Sequence, residues 1–312
     1  MTKRLQNKVA ENRYTLTVTV AYTLLVWLAA DLSDRRKWIP LVCSLAAGYM
    51  MAELNNRNSL IRIYSRMVSA SFLLMLTSAV FLFTSLTTGV TAFCCSAFLL
   101  IAFQAYQDRH AAGYFFLTFL FVGLNSMFFV HILLFVPFLW FFLGWKVVPV
   151  SGKSIFASVL GLVTPYWMIS PYVMFAGDYE RWIRHFAALG DWTAFLDYGG
   201  MTPGRTAVMA LVLVTAVTGG VHFLHTSYQD KVRVRMLYEY LLYMGSLCAA
   251  FLLVMPCLYD ALLPLTVIHA APLAGHFFAL TSTKATNACF IAFLTAVLLI
   301  TAYNLWMPLF NF

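Results

Sequence analysis

The chain has 312 residues, of which 62% are hydrophobic and only 10% are charged, and its formal net charge is +8. A soluble domain carries roughly 25% charged residues. This composition therefore excludes a soluble enzyme, a disordered chain and a fibrous protein, and leaves an all-α polytopic membrane bundle whose helices face lipid and one another. The positive charge reads as retention of cytoplasmic loops. No compact basic patch is interleaved with stacking aromatics, so no nucleic-acid partner is expected.

Eleven apolar segments are predicted to span: about 14–31, 38–52, 67–85, 91–106, 111–123, 127–144, 154–175, 205–224, 236–255, 260–281 and 286–306. The first follows a basic start but has Leu28 where a cleavage site needs a small residue, so it reads as an uncleaved span. Residues 111–144 hold no Asp, Glu, Lys or Arg. As one helix they would measure about 51 Å, against a hydrocarbon core of about 30 Å. Gly123-Leu124-Asn125-Ser126 offers the break that makes two short helices of them. With the N-terminus in the cytoplasm, this reading puts 14 basic residues inside and 6 outside. Merging the run reduces the split to 11 and 9, which the positive-inside rule disfavours. Arg35, Arg36 and Lys37 then stand as an anomaly on the outer side.

Two further segments look broken: 154–175, with Pro165 and Pro171, and 260–281, with Pro264, Pro272 and Gly275. The chain reads as one integral domain over 1–312. Its longest outer loop, 176–204, contains an amphipathic interfacial helix. There Tyr179, Trp182, Ile183, Phe186 and Leu189 form an apolar face, with Glu180, Arg181, Arg184 and His185 opposite. The inner loop 53–66 has similar character, and its arginines suit anionic headgroups.

The outer polar residues are the candidate site. Asp31 and Asp34 follow the first span, where a carboxylate can deprotonate an acceptor hydroxyl. Arg181 and Arg184 are spaced to clamp a diphosphate, and His185 can carry a proton near neutral pH. Other features carry less. His222 and His225, with His269 and His276, lack the ligands that complete a haem or metal set, and read as interfacial polar groups. Glu239 is placed to snorkel beside Arg235. The six cysteines read as small buried hydrophobes. Ser151-Gly152-Lys153-Ser154 lacks the upstream glycine of a phosphate loop, since Val147 stands there. No cofactor or metal is expected.

Three segments carry a family resemblance: Asn55-Asn56-Arg57-Asn58-Ser59-Leu60; Ala112-Gly113-Tyr114-Phe115 with the later Gly123-Leu124-Asn125-Ser126; and Gly161-Leu162-Val163-Thr164-Pro165-Tyr166-Trp167. They resemble a family of bacterial multi-pass inner-membrane proteins, typical of Bacteroidota, with a domain of unknown function. The resemblance implies an inner-membrane helical bundle in a Gram-negative envelope. The short, broken helices are also similar in kind to lipid-linked glycan transferases and polymerases. The function expected is envelope biogenesis on a lipid-linked or amphipathic substrate. The alternatives are a secondary transporter, with a cavity between 154–175 and 260–281, or a non-catalytic membrane subunit bound to a protein partner.

Overall fold

The structure is a computed structural model describing residues 4–108, 110–149, 151–177, 179–190 and 195–310, with the side chains of 176, 181 and 307–310 set aside. Every regular element among the described residues is helical. The helices are α1 (Leu5–Glu11), α2 (Thr15–Ala29), α3 (Trp38–Asn58), α4 (Met67–Thr77), α5 (Leu86–Ala102), α6 (Ala112–Ser126) and α7 (Val136–Lys146). There follow α8 (Gly152–Ala176), α9 (Tyr179–Ala187), α10 (Pro203–Thr226), α11 (Val232–Val254), α12 (Tyr259–Leu280) and α13 (Lys284–Phe310). Among the described residues, six segments are long and apolar enough to cross a membrane: Leu86–Ala105, Gly152–Phe175, Pro203–Gln229, Val232–Val254, Pro256–Leu280 and Lys284–Trp306. Apart from α1 and α9, successive helices alternate in direction between two ends of one bundle. One end carries the turn at 30–37 and the other carries the loop 59–66; we call them the turn end and the basic end.

Helix α12 is the centre. Nearly all of its residues are buried, His269 and His276 included, and it packs against α4, α5, α10 and α11. A helix apolar on every side has no solvent face to present, and burial follows. Close approach is built from small residues: a Cβ on Gly275 would meet the Val68 backbone of α4 at 2.9 Å.

The proline-bearing segments are continuous helices, which corrects the broken reading. Proline removes an N–H and so frees the carbonyl four residues earlier. Pro264 frees the Asp260 carbonyl, and Thr88 Oγ1 of α5 donates to it at 2.7 Å. Pro171 frees the Trp167 carbonyl, and Ser170 Oγ donates to it at 2.8 Å. At these two prolines a hydroxyl replaces the missing bond, and both helices run on through all four prolines.

The run 111–144 does form two helices, but its break follows Ser126. Gly123 is helical, because its lack of a Cβ serves a helix contact: a Cβ there would lie 2.5 Å from the Leu162 carbonyl oxygen of α8. The reverse happens at 67–85, read as one span. Helix α4 ends at Thr77, a short 3-10 turn follows at Val80–Leu82, and Asn304 Nδ2 of α13 donates to the buried Ser78 carbonyl at 2.9 Å. Helix α3 runs past 52 to Asn58, so residues 53–58 are helix and the basic loop is only 59–66.

Candidate functional site

Helix α9 carries the predicted outer residues. It leans on α8 through rings: Tyr166 lies 5.3 Å from Phe186 and 5.8 Å from Trp182. Tyr166 is itself held, its hydroxyl 2.6 Å from Ser126 Oγ on α6. Between α8 and α9 lies an apolar groove of about 300 Å³, floored by Tyr166, Ile169 and Val173 and roofed by Trp182 and Phe186.

The packed face differs from the predicted one. Ile183 is 68% exposed. His185 is half-buried beside Trp182 and Phe186, at 5.9 and 5.3 Å between rings. Tyr166 fixes the orientation by meeting positions 182 and 186, and the His185 ring stands beside both of those rings. His185 therefore lines the packed side, not the polar face with Arg184. Arg184 is exposed and is not among the residues that line the groove; its Nε lies 3.4 Å from the Glu180 carbonyl oxygen. The Arg181 side chain lies outside the described residues.

Asp31 and Asp34 are at the same end of the bundle, in a turn that packs on α3; α5 and α6 stand between α3 and the α8–α9 pair. Each carboxylate is occupied locally. Asp31 accepts from Ser33 Oγ at 2.6 Å and from its backbone N–H at 3.1 Å, and these bonds hold its carboxyl below the usual range. Asp34 accepts from Arg36 Nη2 at 2.9 Å and from Nε and the backbone N–H, which lowers it likewise. Lys37 Nζ caps the Ala30 and Asp31 carbonyls at the end of α2. Two members of the basic triplet are thus explained by turn geometry: Arg36 and Lys37 tie the connection from α2 to α3.

Sequence reasoning missed a cleft at the basic end. It has a volume of about 540 Å³ and lies between the loop 59–66 and residues 229–234. Asn55 builds its wall. Its side chain donates to the Ser65 carbonyl at 3.0 Å and accepts from the Ile61 N–H at 3.1 Å, folding the loop around itself. Ser59, at φ 49°, starts that turn. On the floor, His276 Nε2 bonds Asp230 Oδ2 at 3.0 Å; the histidine side chain is fully buried and that of Asp230 is 4% exposed. Arg62 on one lip bonds the neutral Gln229 Oε1 at 2.9 Å, and Lys231 stands on the other.

The remaining predicted groups are structural. His222 packs 5.5 Å from the His276 ring. His269 Nδ1 donates to the Leu265 carbonyl, 2.8 Å away. With Cys94, Cys95 and Cys248 it lines a cavity of only about 30 Å³, and no group of metal-ligand type gathers among the described residues. His269 and His276 are core residues, not interfacial ones. Cys94 and Cys248 are buried as expected, but Cys257 and Cys289 are exposed on the bundle surface. Glu239 pairs chiefly with Lys146 of α7 at 2.6 Å, with Arg235 farther at 3.9 Å.

Comparison with family models, with curated proteins and with solved structures finds no match to this chain.

Proposed function

We propose that this chain is an inner-membrane protein of a bacterial envelope with about eleven crossings, and that it acts in envelope biogenesis on a lipid-linked substrate at the outer face. The orientation rests on charge. Arg57, Arg62, Arg66, Lys146, Lys153, Lys231, Arg233, Arg235 and Lys284 belong to the basic end, which the positive-inside rule assigns to the cytoplasm together with the N-terminus. The turn end with α9 then faces outward.

The observation that carries the reading is the apolar groove between α8 and α9, roofed by a helix that also carries the exposed Arg184. A lipid-linked substrate needs a slot for the chain and a cation for the phosphate beside it. In this reading Arg184, with Arg181, receives the phosphate, and the aromatic roof covers the first part of the chain. Asp31 and Asp34 serve the acceptor side. His185, half-buried behind the roof, supports Trp182 and is less suited to proton transfer than its place in the sequence suggested.

A transporter with a cavity between α8 and α12 has weaker support, because α5 and α6 lie between those helices. The test is Arg184→Ala in cells. Loss of one envelope glycan, with folded protein at wild-type level, is expected; unchanged glycans at that level would sink the proposal.

A further inference from the structure

We infer that the cleft at the basic end is a binding site for an anionic phospholipid headgroup, one that carries a phosphate and free hydroxyls. This site lies at the other end of α10 from α9, a helix of 24 residues or about 36 Å, and it does not depend on the glycan reading.

The first argument is charge. Arg62, from the loop 59–66, and Lys231, from the opposite segment, both line this cleft of about 540 Å³. Arg62 is bonded to a neutral amide oxygen, and Lys231 makes no ion pair among the described residues. Two cations on opposite lips suit one phosphate between them. Helix α11 begins at the second lip, right after Lys231, so its positive end adds to the same field.

The second argument is the acid. A bare carboxylate in the cleft would repel a phosphate. Asp230, however, gives Oδ2 to His276 at 3.0 Å and is nearly buried. Its other oxygen is left to accept from a donor, and a glycerol hydroxyl is such a donor. A phosphate flanked by hydroxyls matches cations above and an acceptor below.

The third argument is the lips themselves. After Arg62 come Ile63 and Tyr64, 37% and 57% exposed. Around Lys231 stand Tyr228 and Val232, 75% and 58% exposed. Each lip thus pairs a cation with an aromatic and an aliphatic side chain left open. That combination belongs at the boundary between headgroups and acyl chains. A soluble phosphate needs no such apolar rim, so the occupant is a lipid.

The experiment is lipid binding to the full-length purified protein, read by native mass spectrometry. The probes are phosphatidylglycerol, phosphatidic acid and phosphatidylcholine. Wild type should retain phosphatidylglycerol above phosphatidic acid, and both above phosphatidylcholine. Arg62→Gln with Lys231→Gln should lower phosphatidylglycerol retention about tenfold and leave phosphatidylcholine unchanged. Lys153→Gln with Lys284→Gln removes the same charge from the same end without touching the cleft, and should bind as wild type does. Melting of each variant checks that it is folded. Equal retention by the cleft variant, or equal loss in the control pair, would overturn the site. Equal binding of phosphatidic acid would overturn the role of Asp230. Glycerol 3-phosphate or inorganic phosphate that displaces the lipid at comparable concentration would identify a soluble ligand instead.

Discussion

Gly161→Ala should destabilise the bundle although alanine is the better helix former. The Cβ it adds would lie 2.2 Å from the Phe116 carbonyl oxygen, 3.1 Å from the Phe116 carbonyl carbon and 3.0 Å from the Leu120 nitrogen. All three are backbone atoms of α6, so no side chain can swing aside. Ordinary contact lies near ~3.5 Å, so α6 and α8 must part by about 1 Å. A gap of that size forfeits roughly a quarter to a half of each pairwise attraction along the crossing. Overpacking of this sort costs about 1–3 kcal/mol. Replacing a helical glycine by alanine returns about 0.5–1 kcal/mol. The net expectation is a loss of about 1–2 kcal/mol, read by reversible unfolding in mixed micelles. Gly113→Ala is the internal control. It lies on the same α6, and its Cβ would meet nothing within 4 Å, so it should be neutral or stabilising. If Gly161→Ala matches Gly113→Ala, the close crossing is not what these glycines provide.

Two other perturbations test local arguments. Thr88→Val leaves the Asp260 carbonyl, freed by Pro264, without its donor at 2.7 Å, and should cost about 1–3 kcal/mol. In a Pro264→Ala background the helix regains its own N–H, and the same substitution should cost under ~0.5 kcal/mol; equal costs in a double-mutant cycle would refute the account. At the turn, Arg36 holds the Asp34 carboxyl below its ordinary range. A lowered folded pKa stabilises above the unfolded value and is lost as pH falls through the folded one, so the turn should loosen only at pH below the ordinary ~3.9. Arg36→Ala should move the Asp34 carboxyl resonance midpoint upward in an NMR titration; an unmoved midpoint would exclude Arg36 as the cause.

The apolar segments were legible because a chain with so few charges marks its helices by hydropathy alone. What hydropathy cannot reveal is how a breaker is used. Pro264 looks like an interruption in one dimension, because its partner Thr88 is distant in sequence. The outer helix shows the same limit at finer scale. Its amphipathic period is plain from Trp182 and Phe186, but which of their neighbours packs beside those rings depends on Tyr166 of another helix. His185 was accordingly assigned to the wrong face. The basic-end cleft had no motif at all, since Asn55 near the end of α3 and Asp230 just before α11 are far apart in the chain. Its traces were the arginines of 53–66, suited to anionic headgroups, and a cation beside an aromatic and an aliphatic residue, once at 62–64 and once around 231, a pattern too short to define a cleft.

The segments that carried the family resemblance gain a physical meaning from their contacts. Gly123 and Ser126 belong to one of them, and Gly161, Pro165 and Tyr166 to another. In the fold they are two sides of one crossing. Gly161 admits the Phe116 carbonyl, Gly123 admits the Leu162 carbonyl and Pro165, and Ser126 meets the Tyr166 hydroxyl at 2.6 Å. Tyr166 then turns its ring to Trp182 and Phe186 and so positions α9. A residue pattern that reads as a loose signature in the chain is thus a single mechanical unit: glycines bring α6 and α8 into backbone contact, and a hydroxyl pair sets the ring that floors the outer groove. Within the proposed function, the shape of that groove is decided on α6, away from any group that would touch the substrate. Gly161→Ala should therefore impair an envelope glycan even where the protein remains folded, and it should do so without altering a charge. A folded Gly161→Ala protein that supports normal glycans, while Arg184→Ala does not, would show that the cation alone matters and that the groove is not the slot for the chain.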